Sequence, residues 1–163
     1  MSDNHLMEWF YRQVLLYKDD MYRFAFSILH DSADCEDAVS NAIIRAHDHI
    51  HQLRKKDSFR IWFAKIVRNE SLRIIKEHKR SFSVEEKPIV SEQMEPCESI
   101  DVQKAMSQLP IDRRTVITLY YICDYSVSDI AMVLQLPIGT VKSRLSRARS
   151  ELKELLGGNE YEK

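Results

Sequence analysis

Lys142, Arg144, Arg147 and Arg149 place four cations within eight residues of the run LPIGTVKSRLSRARSELKEL, interleaved with Ser143 and Ser146 and followed by Ser150. Such side chains donate to phosphate oxygens and to the acceptor edge of guanine, and hydroxyls serve backbone or base. Whether they act together depends on the helix that carries them. Projected at about 100° per residue, Val141, Leu145, Ala148, Leu152 and Leu155 share one stripe, the pattern of a helix packed on a core. Lys142, Ser143, Ser146, Arg147 and Ser150 fall opposite it, and Arg144 and Arg149 flank it. Pro137-Ile138-Gly139 reads as a tight turn into this helix, with Thr140 as its N-cap.

The preceding run, YSVSDIAMVLQL at 125–136, reads as a shorter helix. Ser126 with Asp129 three residues on approximates a capping box. Ile130, Ala131, Val133 and Leu134 supply an apolar face. A short helix, a turn and a second helix with a polar outer face make a helix-turn-helix. The second helix of that motif enters the major groove with its N-terminal residues toward base edges. A lone basic helix would read as a solvated face; in this setting it reads as a DNA recognition helix.

A second cationic set lies upstream. Arg54, Lys55 and Lys56 form a basic loop, and Arg60, Lys65, Arg68 and Asn69 follow along the next helix. A cationic groove is the usual device for holding a single strand. Trp62 offers a ring for base stacking, yet its spacing with Phe59, Phe63 and Ile66 favours the core. Asp37, Asn41 and Arg45 lie at i, i+4 and i+8, on one face away from Ile43 and Ala46. That face is either a solvated surface or a partner contact. His47 and His51 share a helix face as two zinc ligands can, but no third ligand of suitable spacing is evident and no Glu follows the first His. No metal or cofactor is expected.

The chain has 163 residues, enough for one domain or two small ones. Only 3 Gly and 4 Pro argue for helices and against an all-β fold. No apolar run is long enough to span a membrane, and the N-terminal stretch lacks a signal pattern. Cys35, Cys97 and Cys123 fit neither a disulfide framework nor a metal site, so a reducing cytoplasm is the expected location. Net charge is −1, but it is unevenly spread. Residues 1–44 carry 3 basic and 8 acidic side chains, whereas 45–80 carry 11 and 4. The second block is thus net +7, and local patches, not totals, bind phosphate.

Leu6, Phe10, Val14, Tyr17, Met21, Phe24 and Ile28 predict a helix over 5–30. Val39, Ile43, Ala46, Ile50 and Leu53 predict a second, roughly 32–53. A third runs from Phe59, with Ser58 as its cap, to about Arg80. Residues 81–100 hold Pro88, Pro96 and five acidic side chains against one Lys, and read as a flexible linker spanning at most about 65 Å. Helices resume at about 101–108 and 111–123. The expected fold is all-α, with an N-terminal three-helix bundle (1–80), an acidic linker (81–100) and a helix-turn-helix domain (101–163).

The run from Leu109, LPIDRRTVITLYYICDYSVSDIAMVLQLPIGTVKSRLSRARSEL, resembles region 4 of RNA polymerase sigma factors of the extracytoplasmic-function type. DCEDAVSNAIIRAH at 34–47 resembles region 2.2, and SFRIWFAKIVRNESL at 58–72 the promoter-melting part of region 2. The resemblance implies that region 2 binds the β′ clamp helices of core polymerase, through Asp37, Asn41 and Arg45. It implies that Arg54, Lys55, Lys56, Arg60, Trp62, Lys65, Arg68 and Asn69 meet the melted downstream element of promoter DNA. Region 4 would bind the β flap and read the upstream element with Thr140, Lys142, Ser143, Arg144, Ser146, Arg147 and Arg149. Such factors have no catalytic site and are often restrained by an anti-sigma factor. Ser40-Asn41 stand where the family usually has Gln-Glu, and Ile43 where Phe is common. The nearest rival is a helix-turn-helix regulator acting without polymerase, which has no need of the basic bundle and would commonly dimerise. A metal-dependent hydrolase built on the His cluster is a distant one.

Residues 81–100 have little apolar content to bury. Limited proteolysis is expected to cut there first and to leave two folded helical fragments. Primary cleavage inside 5–30 or 59–80 would contradict the two-domain reading.

Overall fold

The computed structural model describes residues 2–81 and 100–157. Every regular element among the described residues is helical. Residue contacts divide the chain into two compact units, Met1–Ile89 and Val90–Lys163. The acidic linker expected at 81–100 lies, but for its two end residues, outside the described residues.

In the N-terminal unit α1 (Asp3–Leu29), α2 (Ser32–His49) and α3 (Phe59–Ser81) each pack on the other two. The stripe expected of α1 is the one it buries: Phe10, Val14, Met21, Phe24 and Ile28 are buried, with Leu6 and Tyr17 half-buried. Val39 and Ala46 of α2 and Phe59, Phe63 and Val67 of α3 complete the core. Each buried Phe contributes about 1.5–3 kcal/mol, enough to decide which face of a helix turns outward. The break between α1 and α2 is closed at both ends. His30 adopts the left-handed conformation (φ 53°) and donates its backbone N–H to Phe26 O, and Asp31 accepts from Asp34 N–H at 2.9 Å. Cys35 is buried beside this cap, and burial pushes its thiol up to about 12, so it stays protonated at neutral pH.

In this unit two boundaries differ from expectation. The second helix gives way after His49 to a 3-10 turn, Ile50–Gln52. Ser58 does not cap α3 from outside. It ends another 3-10 turn, Lys56–Ser58, with its backbone N–H bonded to Lys55 O at 3.1 Å, so the chain is already helical when it reaches Phe59.

In the C-terminal unit α4 (Ile100–Gln108), α5 (Ile111–Ile117) and α6 (Val127–Leu134) all pack on α7 (Ile138–Leu155). Between α5 and α6 a π turn, Thr118–Ile122, ends where Cys123 N–H bonds Thr118 O. The corner at Pro110 is held by a buried arginine. Arg114 Nη1 donates to Leu109 O at 3.2 Å and to Ser107 O at 3.4 Å, and burial lowers its pKa from the ordinary value. A buried guanidinium stays charged when carbonyl oxygens surround it, and these carbonyls lie at the α4 C-terminus, where a cation is favoured.

Arg114→Met is therefore expected to destabilise the C-terminal unit by about 1–3 kcal/mol through the lost charge-assisted bonds. Thermal and denaturant melts of the intact chain measure this. Stability equal to wild type would show the tether to be unimportant.

Candidate nucleic-acid and partner interfaces

Helix α7 buries Val141, Leu145 and Ala148 at 2% exposure or less. The burial fades along the stripe: Leu152 is half-buried and Leu155 is 42% exposed, so the outer end of the predicted stripe is not core. Lys142, Ser143, Ser146, Arg147 and Ser150 are exposed on the opposite side. The cations flanking the stripe are engaged within the unit. Arg144 Nε lies 3.8 Å from Asp112 Oδ2, and Arg113 of α5 pairs in the reverse sense with Glu151 of α7. Arg149 Nε donates to Tyr121 Oη at 2.6 Å, and its guanidinium lies 5.6 Å from the ring centres of Tyr120 and Tyr121. The π turn, whose hydrogen bond reaches back five residues instead of the four of an α-helix, carries these two tyrosines. No periodicity in the sequence announces it.

The turn into α7 is not the one expected. Ser126 caps α6 as predicted, accepting from Asp129 N–H at 3.1 Å. At its other end the left-handed residue is Gln135 (φ 56°), with Leu136 N–H bonded back to Ala131 O at 3.0 Å. The chain has thus turned before it reaches Pro137. Pro137, its φ fixed near −59°, leads straight into the first helical residue, Ile138. Gly139 and Thr140 are inside the helix. Thr140 does not cap it, and its carbonyl accepts from Ser143 Oγ at 3.0 Å.

In the N-terminal unit Arg54 and Lys55 are exposed, while Lys56 Nζ lies 5.0 Å from the centre of the Trp9 ring. The guanidinium of Arg60 lies 5.7 Å from the centre of the Tyr17 ring. Cations so placed gain about 0.5–2 kcal/mol from the ring quadrupole and are held near α1. Trp9 and Tyr17, eight residues apart on α1, were not among the expected site residues. Trp62 is half-buried with its ring 5.9 Å from Phe59, so it belongs partly to the core. Lys65 is half-buried, and Arg68 Nη1 donates to Asn69 Oδ1 at 3.3 Å.

Asp37, Asn41 and Arg45 share the face of α2 on which Ile44 is also 60% exposed, an apolar addition the charge pattern did not reveal. Arg45 is not a free cation: its Nε pairs with Glu70 Oε1 of α3. Glu70 Oε2 accepts from Arg73 Nε and Nη2 at 2.9 and 2.7 Å, which raises the Arg73 pKa from its ordinary value. His47 lies against Tyr11, ring centres 6.2 Å apart, and His49 Nδ1 lies 2.8 Å from Arg45 O.

Comparison with known proteins accounts for both units. Residues 14–81 match the family described as Sigma-70 region 2, and residues 99–152 that described as Sigma-70, region 4. The ECF RNA polymerase sigma factor SigM of Mycobacterium tuberculosis is 31% identical over 140 residues, which cover 84% of this chain and 71% of that protein. The chain belongs to the extracytoplasmic-function sigma factors. SigW of Bacillus subtilis is 28% identical over 159 residues, covering 86% and 85% of the two chains. The solved sigma factor RpoE of Bartonella quintana, in complex with the anti-sigma factor NepR, superposes with a TM-score of 0.75 at 29% identity, over 90% of this chain and 96% of that one. This sigma factor is accordingly a non-enzymatic initiation factor that directs RNA polymerase to promoters. A regulator acting without polymerase would leave the region 2 unit unexplained. Among its described residues no helix is long and apolar enough to cross a membrane.

If the exposed face of α7 reads base edges, Arg147→Ala should weaken upstream-element binding by about 1–3 kcal/mol and alter base preference. Footprinting and selection of bound sequences with the assembled enzyme measure both. If neither changes, the recognition face is misassigned.

Proposed function

We propose that the two units of this sigma factor divide promoter recognition between them. The C-terminal unit reads the upstream element as duplex, with Lys142, Ser143, Ser146 and Arg147 toward the major groove and Thr140, Arg144 and Arg149 at its margins. It also docks on the β flap. The N-terminal unit binds the β′ clamp helices through Asp37, Asn41 and Arg45, with Ile44 as an apolar contact. Its basic loop (Arg54, Lys55, Lys56) and α3 (Arg60, Trp62, Lys65, Arg68, Asn69) hold the unpaired downstream strand. The observation that carries this reading is the contiguous cation and hydroxyl face of α7, set opposite a buried stripe. RpoE, solved with NepR, supports the further reading that an anti-sigma protein restrains this factor. Its work lies with polymerase in the cytoplasm.

Charge makes the activity depend on the enzyme. The chain is net −1, and residues 1–44 are acidic. Those charges oppose the phosphate attraction that supplies most nonspecific DNA affinity. Unpairing and extruding a base costs on the order of a few kcal/mol, which a 19.2 kDa protein offsets poorly alone. Core polymerase adds DNA-contacting surface and raises the effective concentration of each unit at its element.

Gel shift and permanganate reactivity on a cognate promoter, with and without core polymerase, test this. Weak binding by the free protein is expected, with tight binding and strand opening only when core is added. Tight sequence-specific binding by the free protein, unchanged by core, would overturn the division of labour.

A further inference from the structure

We propose that Glu70 is a positioning residue for polymerase binding, holding Arg45 ready to meet a carboxylate of the core enzyme. The inference rests on the reading of Asp37, Asn41 and Arg45 as the polymerase-facing surface. Glu70 does not belong to that surface. It lies on α3 with its side chain 4% exposed, and a carboxylate so buried needs paired charge. Two arginines supply it in different ways. Arg73 places both Nε and Nη2 on Glu70 Oε2 and gives Nη1 to Glu77 Oε1 at 2.7 Å, so each of its three nitrogens is engaged within α3. Arg45 commits only Nε, to Oε1. Neither Nη1 nor Nη2 donates a hydrogen bond among the described residues, and its side chain is 57% exposed.

The uncommitted Nη1–Nη2 edge of a guanidinium is a fork that takes a carboxylate in bidentate fashion. Asp37 is exposed on the same face, two helical turns away, and the half-buried Asn41 lies between them. An anion, an amide and a cation in line fit a surface that offers a cation opposite Asp37 and a carboxylate opposite Arg45. Such alternation fixes the orientation of docking. An unrestrained arginine loses rotamer freedom when it docks, and that loss opposes association. Glu70 has removed the freedom beforehand. Because Glu70 sits on α3, it sets the direction of Arg45 relative to the bundle, not to α2 alone.

The test is a double-mutant cycle on the affinity of the intact chain for core polymerase, with circular dichroism melts establishing that each variant is folded at the assay temperature. Arg45→Ala is expected to weaken binding about tenfold. Glu70→Gln, of nearly the same volume but neutral, is expected to weaken it several-fold, and to add nothing in the presence of Arg45→Ala. Arg73→Ala removes the other guanidinium from the same carboxylate and should leave the affinity near wild type. If Glu70→Gln does not fold, Glu70→Asp, one methylene short of Arg45, carries the same cycle. Unchanged affinity in the Glu70 variant while Arg45→Ala weakens binding overturns the positioning role and leaves the polymerase-facing surface standing. Additive effects, or an equal loss from Arg73→Ala, reduce Glu70 to a structural residue and overturn it too. Unchanged affinity in Arg45→Ala removes the surface itself and the inference with it.

Discussion

Phe59 is in ring contact with five aromatic side chains: Trp9, Phe10 and Tyr17 from α1, and Trp62 and Phe63 beside it on α3. It is the first residue of α3 and is 1% exposed. Much of the N-terminal unit depends on this burial. With Phe59 inside, the basic loop must end at the surface of α1, and the next residue, Arg60, must emerge beside Tyr17. Lys56 at the end of the loop and Arg60 at the start of α3 therefore lie over the rings of Trp9 and Tyr17. A hydrophobic anchor thus decides where charge is offered.

Charge in this sigma factor is managed by pairing. A chain of near-neutral net charge that serves on DNA cannot rely on a general positive field. Its cations are sorted instead. Arg144 and Arg149 are held by Asp112 and Tyr121, and Arg45 and Arg73 by Glu70, while Lys142 and Arg147 stand exposed on α7. The held group ties helix to helix or to the adjoining turn, and the exposed group is left to solvent.

The C-terminal unit is organised around α7, on which α4, α5 and α6 all pack. The exposed face of α7 is therefore carried by the helix on which the rest of the unit packs. The connections are economical: with few glycines in the chain, His30, Asp124 and Gln135 take the left-handed conformation that closes turns. The turn before α7 accordingly closes at Gln135, ahead of the only glycine nearby.

The sequence by itself determined the order of the helices, most of each apolar stripe, the Ser126 cap and the exposed face of α7. Helical periodicity is local: a residue's neighbours at three and four positions settle which face is buried, as Phe10, Phe24, Val141 and Leu145 illustrate. The family was legible for the same reason, since runs such as GTVKSRLSRAR are contiguous. Tertiary structure alone decided what each cation touches. Glu70 lies 25 residues from Arg45 and Tyr121 lies 28 from Arg149, and no spacing rule links residues so far apart. The start of α7 and the π turn carrying Tyr120 and Tyr121 were also beyond local reading. There the winning conformation is set by packing against other helices, whose balance no single segment contains.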